Sequence, residues 1–363
     1  MSEVNKETIE QALSEVMDVN LQQDLKSAGA IKDIAINSGN ASVSLELGYP
    51  AEGYKATLGE SVKSRLTQLE GIDSVNVDIS FNIVSHSVQK GVKPLKNIKN
   101  TIAVASGKGG VGKSTTSVNL ALALQAEGAK VGILDADIYG PSQPRMLGCQ
   151  AKPDSVDGKS IDPNVSYGIQ SMSIGYLIND ETPMIWRGPM VTSALEQLLG
   201  DTNWSDLDYL VIDLPPGTGD IQLTLCQKIP VSGAMIVTTP QDIALLDARK
   251  ALKMFEKVEV PVFGIVENMS LHICSSCGHE EAIFGSGGGQ QMAEQYAVDL
   301  LGSLPLDISI REGVDNGRPT VAMDPDSRIT EIYRDIARKT AAKLSLQAKD
   351  YSAKFPKIVV ENA

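Results

Sequence analysis

The spacing of apolar residues changes several times within the first 85 residues, and each change predicts a new element. Apolar side chains recur at helical spacing over residues 7–16 and alternate with polar ones over residues 43–47. A second helical stretch covers residues 58–69, and a second alternating stretch covers residues 75–83. Helix, strands, helix and strand within residues 1–85 predict a small α+β domain.

The next segment, residues 86–100, has no apolar period. It carries four lysines, at Lys90, Lys93, Lys96 and Lys99, around a glycine and a proline. Charged residues beside Gly and Pro are typical of an exposed connection between domains, so we expect a solvated linker here.

Short apolar runs alternate with helical stretches in the remainder of the chain. The runs are residues 101–105, 131–134, 209–212, 234–237 and 262–266. Runs of this kind between helices are typical of buried parallel strands. We therefore predict an α/β domain with a doubly wound, mostly parallel sheet over residues 101–350, closed by a helix from about residue 328 to 347. A C-terminal tail would follow at residues 351–363.

Composition limits the classes of function. The 363 residues carry a formal charge of −13 with acidic residues spread along the chain, which disfavours nucleic acid and anionic membrane as partners. We find neither a secretory signal at the N-terminus nor a run of about 18 apolar residues, so we expect a cytoplasmic protein. Its four cysteines, Cys149, Cys226, Cys274 and Cys277, are too few for a disulfide scaffold.

Residues 107–115 read Gly-Lys-Gly-Gly-Val-Gly-Lys-Ser-Thr, which contains the pattern Gly-x4-Gly-Lys-Ser of a phosphate-binding loop. An apolar strand precedes this loop and a helix follows it, as the pattern requires. The loop predicts a Mg²⁺-dependent ATPase in which Lys113 reaches the β and γ phosphates and the Ser114 hydroxyl coordinates Mg²⁺. The predicted nucleotide contacts are Gly107, Gly109, Gly110, Val111, Gly112, Lys113, Ser114 and Thr115.

A phosphate loop also needs a carboxylate at the end of a neighbouring strand to hold Mg²⁺, usually through water. Asp213 ends an apolar run and precedes a turn-rich loop, residues 215–219, which we expect to sense the γ phosphate. Asp135 and Asp137 follow another apolar run, and one of them is in place to orient the attacking water. We assign that catalytic role to Asp137.

Lys108 is a second lysine within the loop, and the bound nucleotide has no obvious need of it. The run from Gly107 to Thr115 resembles the deviant Walker A motif of the MinD and ParA class. In that class the extra lysine crosses a dimer to the phosphates of the other subunit. The resemblance implies an ATP-dependent homodimer with Lys108 as a catalytic cation in trans, and it implies adenine recognition by Asn268.

Cys274 and Cys277 form a Cys-x-x-Cys pair, and two thiolates rarely complete a metal site. Three interpretations are open from spacing alone. One is a zinc site that adds His272 or His279, and another is a redox-active dithiol. The third is a 4Fe-4S cluster held by the pairs of two subunits, which agrees with the two-fold symmetry of a dimer.

Nearly the whole chain resembles the Mrp/ApbC branch of these ATPases, the iron-sulfur cluster carrier proteins. Besides the cysteine pair, the matching stretches are residues 107–115, 135–142, 185–190, 213–220, 238–242 and 267–270. The resemblance implies a labile bridging cluster, bound by Cys274 and Cys277 and transferred to apo-proteins, with a scaffold or donor protein as a further partner. Trp186 and Arg187 have no role that spacing explains, and we regard them as candidate switch or dimer residues.

Residues 1–85 resemble the small domain that many bacterial carriers of this branch place before the ATPase. Related domains often have a cysteine before a proline after the central strand, whereas this chain has Tyr49. Tyrosine supplies no thiolate, so we expect this domain to dock a partner. Two other functions were weighed: a MinD/ParA-like positioning switch, which does not explain the cysteines, and a chaperone for a single metal ion.

Overall fold

A computed structural model describes residues 5–155, 158–178, 188–274 and 276–350 of the chain. Trp186 and Arg187, part of the matching stretch 185–190, lie outside these residues, as does the predicted tail 351–363.

The first part of the chain is a three-stranded sheet with two helices packed on it. Its sheet has the order β3-β4-β5, in which β3 and β4 are antiparallel and β4 and β5 are parallel. Alternate residues of β4 are buried against the apolar faces of the helices, as the period of two predicts. The elements are α1 (Lys6–Leu13), β1 (Met17–Asp18), β2 (Gln23–Asp24), β3 (Ile31–Asn37), β4 (Asn40–Leu47), a 3₁₀ turn (Glu52–Tyr54), α2 (Lys55–Leu66) and β5 (Ser74–Phe81).

An eight-stranded sheet flanked by helices forms the second part, with a small separate hairpin. The strands of the sheet are β6 (Ile98–Ala105), β7 (Val131–Asp135), β8 (Asn164–Ser166), β9 (Ile169–Ser173), β10 (Leu207–Asp213), β11 (Gly233–Thr238), β12 (Val262–Glu267) and β15 (Asp299–Ser303). The hairpin consists of β13 (His272–Ile273) and β14 (Glu280–Glu281). The helices of the second part are α3 (Lys113–Ala126), α4 (Gln143–Met146), α5 (Gly188–Gly200), α6 (Asp220–Lys228), α7 (Asp242–Lys257), α8 (Gly288–Tyr296), α9 (Ile308–Asp315), α10 (Thr320–Met323) and α11 (Arg328–Ser345), with a 3₁₀ turn at Ile174–Tyr176.

The large sheet has the order β15-β12-β11-β6-β10-β7-β9-β8, and only the edge pair β8 and β9 is antiparallel. Strands β7, β10 and β11 are buried along their whole length, because helices cover both faces of the sheet. The predicted doubly wound, mostly parallel sheet is confirmed. Parallel strands bring the loops after β6, β7, β10 and β12 to one edge of the sheet, where ligands bind in open α/β sheets.

The segment predicted as a solvated linker is partly packed into the fold. Strand β6 already begins at Ile98, and His86 and Gln89 are buried. The Gln89 side-chain amide donates hydrogen bonds to the carbonyl oxygens of Cys226 and Ile229, at 2.9 and 2.6 Å, and its oxygen accepts one from the Val231 amide at 2.7 Å. This polar segment lies against the domain because the Gln89 side chain makes hydrogen bonds to three backbone groups there.

Glu127 joins the two parts of the chain at the end of α3. Its fully buried carboxylate accepts hydrogen bonds from the Gly53 amide at 2.8 Å and from Arg334 and Arg338, each at 2.7 Å. A buried carboxylate is tolerated only when it is paired and hydrogen-bonded. The contact therefore fixes the N-terminal part and α11 to the helix that begins at the phosphate loop.

Candidate functional site

The phosphate loop lies at the centre of the sheet. Strand β6 ends at Ala105, residues 106–112 form the loop, and α3 begins at Lys113. The loop therefore presents its backbone N–H groups together with the N-terminus of a 14-residue helix, an arrangement that attracts phosphate.

Two glycines of the loop are required by packing. A Cβ atom at Gly107 would lie 2.1 Å from the Asp247 carbonyl carbon, because the loop passes directly against the backbone of α7. Gly112 has φ +84°, and its Cβ would lie 2.1 Å from the Asn268 side-chain nitrogen. The glycine pattern thus reflects both close approach and left-handed backbone.

Lys113 and Asp213 form a buried ion pair. The Lys113 Nζ lies 2.6 Å from Asp213 Oδ1 and 3.1 Å from Ser114 Oγ, and the two charged side chains are 6% and 0% exposed. The ammonium predicted to bind phosphate therefore contacts both side chains predicted to hold Mg²⁺.

Asp135 and Asp137 follow β7, but their surroundings differ. Asp135 is fully buried, and its carboxylate accepts hydrogen bonds from the Ser142 and Gln143 amides and the Ser173 hydroxyl at 2.9, 3.0 and 3.1 Å. Burial, followed by the neighbouring Asp213 carboxylate, raises the pKa of Asp135. These bonds make Asp135 an anchor for the segment that follows β7.

Asp137 is half-buried, so its carboxylate keeps access to the site. Burial raises the pKa of Asp137, and the positive charge of Lys113 opposes that shift. Asp137, the residue predicted to orient water, therefore lies close enough to Lys113, the lysine predicted to bind phosphate, to feel its charge.

Gln143 is a residue of this site that the sequence did not predict. Its Nε2 donates hydrogen bonds to Asp213 Oδ2 at 2.9 Å and to the Ser114 carbonyl at 3.1 Å. The only sequence signal was its place eight residues after Asp135, in the stretch that follows β7.

The oxygen atoms at this edge fit a hydrated Mg²⁺. Ser114 supplies a hydroxyl and Asp213 a carboxylate, which are hard oxygen donors of the kind Mg²⁺ prefers. The Gln143 Oε1 and Ser142 Oγ atoms are buried and have no hydrogen-bond partner among the described residues. Such oxygens are suited to accept hydrogen bonds from metal-bound water.

Lys108 belongs to the loop, and Asn268 contacts it from the end of β12. Lys108 is half-exposed, and its ammonium makes no hydrogen bond or ion pair within the described residues, although the Ser106 hydroxyl donates to its carbonyl at 2.9 Å. Asn268 follows β12 and is 8% exposed. Its Nδ2 donates to the Val111 carbonyl at 2.9 Å, so this side chain supports the loop directly.

The loop after β10 also touches the phosphate loop. The Gly217 amide donates a hydrogen bond to the Ser106 carbonyl at 3.0 Å, and the Gln222 side chain donates to the Pro216 carbonyl at 2.7 Å. The segment predicted to sense the γ phosphate is therefore bonded to the loop that would hold the phosphates.

Cys274 and Cys277 lie at the turn of a short hairpin made by β13 and β14. The Cys274 amide donates to the His279 carbonyl at 2.9 Å, and the Gly278 amide donates to the Cys274 carbonyl at 2.8 Å. Cys274 is half-exposed and Cys277 is exposed. Hydrogen bonds from the Ser276 and Cys277 amides lower the pKa of the Cys274 thiol, which favours the thiolate that binds metal.

The described residues supply no complete metal site around this pair. They contain no group of three or more His, Cys, Asp or Glu side chains placed to hold a metal ion. His272 Nδ1 instead lies 3.1 Å from the Leu306 carbonyl oxygen. Within the described residues, neither His272 nor His279 is grouped with the two thiols as a third ligand.

Tyr49 occupies a fully buried position in the N-terminal part. Its hydroxyl donates a hydrogen bond to Asp18 Oδ2 at 2.7 Å and accepts one from the Asn20 amide nitrogen at 3.2 Å. This tyrosine is a packed core residue with its polar tip satisfied. Cys226 is also buried, and burial raises the pKa of its thiol to about 12, whereas Cys149 is half-buried.

The parallel sheet, the phosphate loop and the carboxylates at its edge define a P-loop NTPase of the ParA and MinD type. A family model described as NUBPL iron-transfer P-loop NTPase matches residues 97–341, and one described as iron-sulfur cluster assembly protein matches residues 6–79. The chain belongs to the family of iron-sulfur cluster carrier proteins, as its sequence resemblance predicted.

Two relatives illustrate this membership. The chain is 53% identical over 330 residues to the iron-sulfur cluster carrier protein of Salmonella typhimurium, which covers 91% of this chain and 89% of the relative. It is 58% identical over 274 residues to the iron-sulfur cluster carrier protein of Pseudomonas fragi, covering 75% of this chain and 96% of the relative.

Solved structures agree on the fold. A nucleotide-binding protein from Archaeoglobus fulgidus, in complex with ADP and with cobalt found in it, is 37% identical with a TM-score of 0.55, over 64% of this chain and 90% of its own. The chain is also similar to the cell division ATPase MinD of Pyrococcus furiosus, with 22% identity and a TM-score of 0.51 over 66% of this chain and 97% of the MinD chain. This similarity supports the fold alone. Within the described part of the chain, every helix is too short or too polar to cross a membrane.

Proposed function

We propose that this protein is an ATP-dependent carrier that holds a labile 4Fe-4S cluster between two copies of the chain and transfers it to apo-proteins. ATP hydrolysis controls the arrangement of the two copies. The observation that carries the proposal is the accessible Cys274 and Cys277 pair, which has no third ligand among the described residues.

The ligand count favours a shared cluster. A 4Fe-4S cluster takes four cysteine thiolates, and one chain presents two on its hairpin. Two hairpins related by a two-fold axis supply four. Exposure of Cys277 suits a cluster that must be handed on, because a client thiolate can then approach it.

The residues of the phosphate loop carry the nucleotide half of the proposal. Lys113 exchanges its ion pair with Asp213 for the β and γ phosphates, while Asp137 orients the attacking water. Lys108, whose ammonium has no partner within the described part of the chain, would reach the phosphates bound to the second copy. Ser114 and Asp213 would hold Mg²⁺, which neutralises charge on the phosphate oxygens when bound.

A short stretch of chain connects the nucleotide site with the cysteines. Asn268 bonds the phosphate loop through the Val111 carbonyl, and Cys274 lies six residues further along. Between them, the Ser270 amide donates to the Leu304 carbonyl at 3.0 Å. An Asn268 that also recognises adenine would make the hairpin sensitive to the bound nucleotide, and the Asp213 to Asp220 loop gives a second route through Gly217.

The proposal implies further partners. Apo-proteins receive the cluster and a scaffold or donor protein supplies it, and we assign partner docking to the N-terminal part because Tyr49 offers no thiolate. We place the activity in the cytoplasm, where reducing conditions keep free cysteines and a labile cluster intact.

Anaerobic reconstitution tests the cluster directly. We expect about four irons and four acid-labile sulfides per two chains, with brown absorbance, from the cluster stoichiometry. Cys274→Ala should abolish both, whereas Cys149→Ala, which changes a half-buried cysteine, should leave them unchanged. Zinc retained by a monomer, with no iron uptake, would refute the proposal.

A single-ion metal chaperone is the second candidate, and the cobalt found in the Archaeoglobus fulgidus structure favours testing it. Metal analysis of freshly isolated protein separates the two functions. Iron with equimolar sulfide supports the cluster, whereas one cobalt, nickel or zinc per chain without sulfide supports the chaperone.

The role of the nucleotide needs its own test. Lys113→Ala should abolish ATP hydrolysis and carrier function in cells, yet it should leave reconstitution of the cluster possible because the cysteines are untouched. Normal cluster delivery by this variant would show that the nucleotide is incidental.

A further inference from the structure

Gln143 spans the nucleotide site although no motif includes it. Its side-chain nitrogen donates to the carboxylate of Asp213, an expected Mg²⁺ ligand, and to the backbone carbonyl of Ser114, whose hydroxyl is the other expected ligand. Its backbone amide donates to Asp135 Oδ2 at 3.0 Å. Gln143, which is 1% exposed, therefore connects both buried carboxylates to the first turn of α3, directly after the phosphate loop.

Of the two polar atoms at the end of the Gln143 side chain, only the nitrogen is hydrogen-bonded within the described residues. Both Nε2 hydrogens have acceptors, whereas Oε1 is buried and has no donor among the described residues. The adjacent Ser142 Oγ is also buried without a partner in that part of the chain. Leaving such an oxygen unpaired costs free energy, so a bound species that donates hydrogen bonds would be favoured here.

We propose that Gln143 is a positioning residue for Mg²⁺. Its Nε2 orients the Asp213 carboxylate, and its Oε1 accepts a hydrogen bond from a water of the Mg²⁺ shell. Mg²⁺ retains several waters when it binds protein, and each water has hydrogens to donate. The inference rests on the proposed nucleotide function, and it adds a residue to the site.

The competing role for Gln143 is purely structural: its amide would only hold the segment after β7 against β10. Loss of a purely structural contact would lower nucleotide affinity equally with and without metal. Loss of a positioning residue would lower nucleotide affinity chiefly when Mg²⁺ is present. The metal dependence of nucleotide binding therefore separates the two roles.

The test uses Gln143→Met, which keeps the length of the side chain and removes its polar atoms. Binding of a fluorescent ADP analogue is titrated with MgCl2 and, separately, in EDTA. We expect the half-maximal Mg²⁺ concentration to rise about 10-fold or more, the usual cost of losing a group that orients a metal ligand. Affinity in EDTA should change less than about twofold, because no phosphate contact is removed.

Gln170→Met is the matched control. The Gln170 side-chain nitrogen donates to the Ser205 carbonyl and hydroxyl, each at 3.0 Å, near the start of β9. The control therefore also removes an amide with two hydrogen bonds, and we expect the Mg²⁺ requirement to stay at the wild-type value.

Gln143→Glu is the second variant, because it keeps an acceptor oxygen and lacks the N–H donors. We expect its Mg²⁺ requirement to lie between those of wild type and Gln143→Met. An equal loss of affinity with and without Mg²⁺, or an unchanged Mg²⁺ requirement in Gln143→Met, would overturn the inference. A Glu variant as impaired as Met would also overturn the role of Oε1.

Thermal unfolding of ligand-free protein identifies a variant that does not fold, and the other variant then decides the question. Absence of Mg²⁺-dependent ADP binding in the wild type would refute the nucleotide function and the inference together. Normal binding in the wild type with no effect of either variant would refute the inference alone.

Discussion

The phosphate loop and the cysteine hairpin belong to the same chain, but they are built in opposite ways. In the phosphate loop, Lys113 and Asp213 are buried and already bonded to each other. In the hairpin, Cys277 is exposed, and the described residues add no third ligand to the pair. The ion pair of the first site is formed within a single chain, whereas the hairpin presents two of the four thiolates that a 4Fe-4S cluster requires.

This difference matches what each ligand needs. A nucleotide site gains from rigid donors held in a water-poor environment, because their electrostatic interactions are then stronger. A cluster that must be transferred gains from exposed ligands that another protein can reach. Under the proposed function, the chain preorganises the nucleotide site that would control transfer, and it exposes the cysteines that would hold the cluster.

The strongest test of this contrast is a mixed dimer. Pairing a wild-type chain with a Cys274→Ala, Cys277→Ala chain leaves two thiolates at the interface, so we expect the reconstituted iron to be almost completely lost. Differently tagged chains purified in tandem and analysed for iron and sulfide give the measurement. A stable cluster in the mixed dimer would show that one chain suffices.

Lys108→Ala tests whether the nucleotide site is complete within one chain or needs a lysine from the second copy. If this lysine acts in trans, ATP hydrolysis should fall about 10³-fold, in line with catalytic cations supplied by a second subunit, while ADP binding changes little. Lys96→Ala, which alters an exposed lysine before the start of β6, at the opposite end of that strand from the loop, is the control for steady-state ATPase assays. Full activity in Lys108→Ala would make the site complete within one chain.

Gly112→Ala probes the rigidity of the phosphate loop. The added Cβ would meet Asn268 at 2.1 Å with φ at +84°, so we expect about 2–3 kcal/mol of destabilisation and a marked loss of ADP affinity. Gly91→Ala is a close match, because its φ is +85° and nothing lies within 4 Å of the new atom.

The control should lose only about 1 kcal/mol, the cost of the left-handed backbone, and bind ADP normally. Equal effects of the two substitutions in chemical unfolding and ADP titrations would mean that the contact with Asn268 is unimportant.

The smallest effects are expected at the histidines near the cysteine pair. Since His272 bonds the Leu306 carbonyl and His279 is exposed, His272→Ala and His279→Ala should each retain most of the reconstituted iron. Iron and zinc analysis of each variant provides the check. Loss of bound metal from either one would restore the single-chain zinc interpretation and remove the contrast between the two sites.

Local pattern was enough to predict much of the molecule. The phosphate loop from Gly107 to Thr115, the buried strands and the helices of the N-terminal part follow from spacing over a few residues, because strand and helix periods are properties of adjacent positions. Strands β3, β9 and β15 were not predicted from the sequence. Burial is mixed along β3 and β15, and β9 is mostly buried but has polar residues at three of its five positions.

Within the site, the sequence alone determined which residue types gather at the carboxyl edge of the sheet, because parallel strands bring their ends together. The sequence did not determine which contacts each of these residues makes. The packing of the segment after β7 buries Asp135 and leaves Asp137 half-exposed at the site. Gln143 contacts Asp213, which lies 70 positions away in the sequence. Contacts at that separation depend on how the strands and loops pack, so only the tertiary structure decided them.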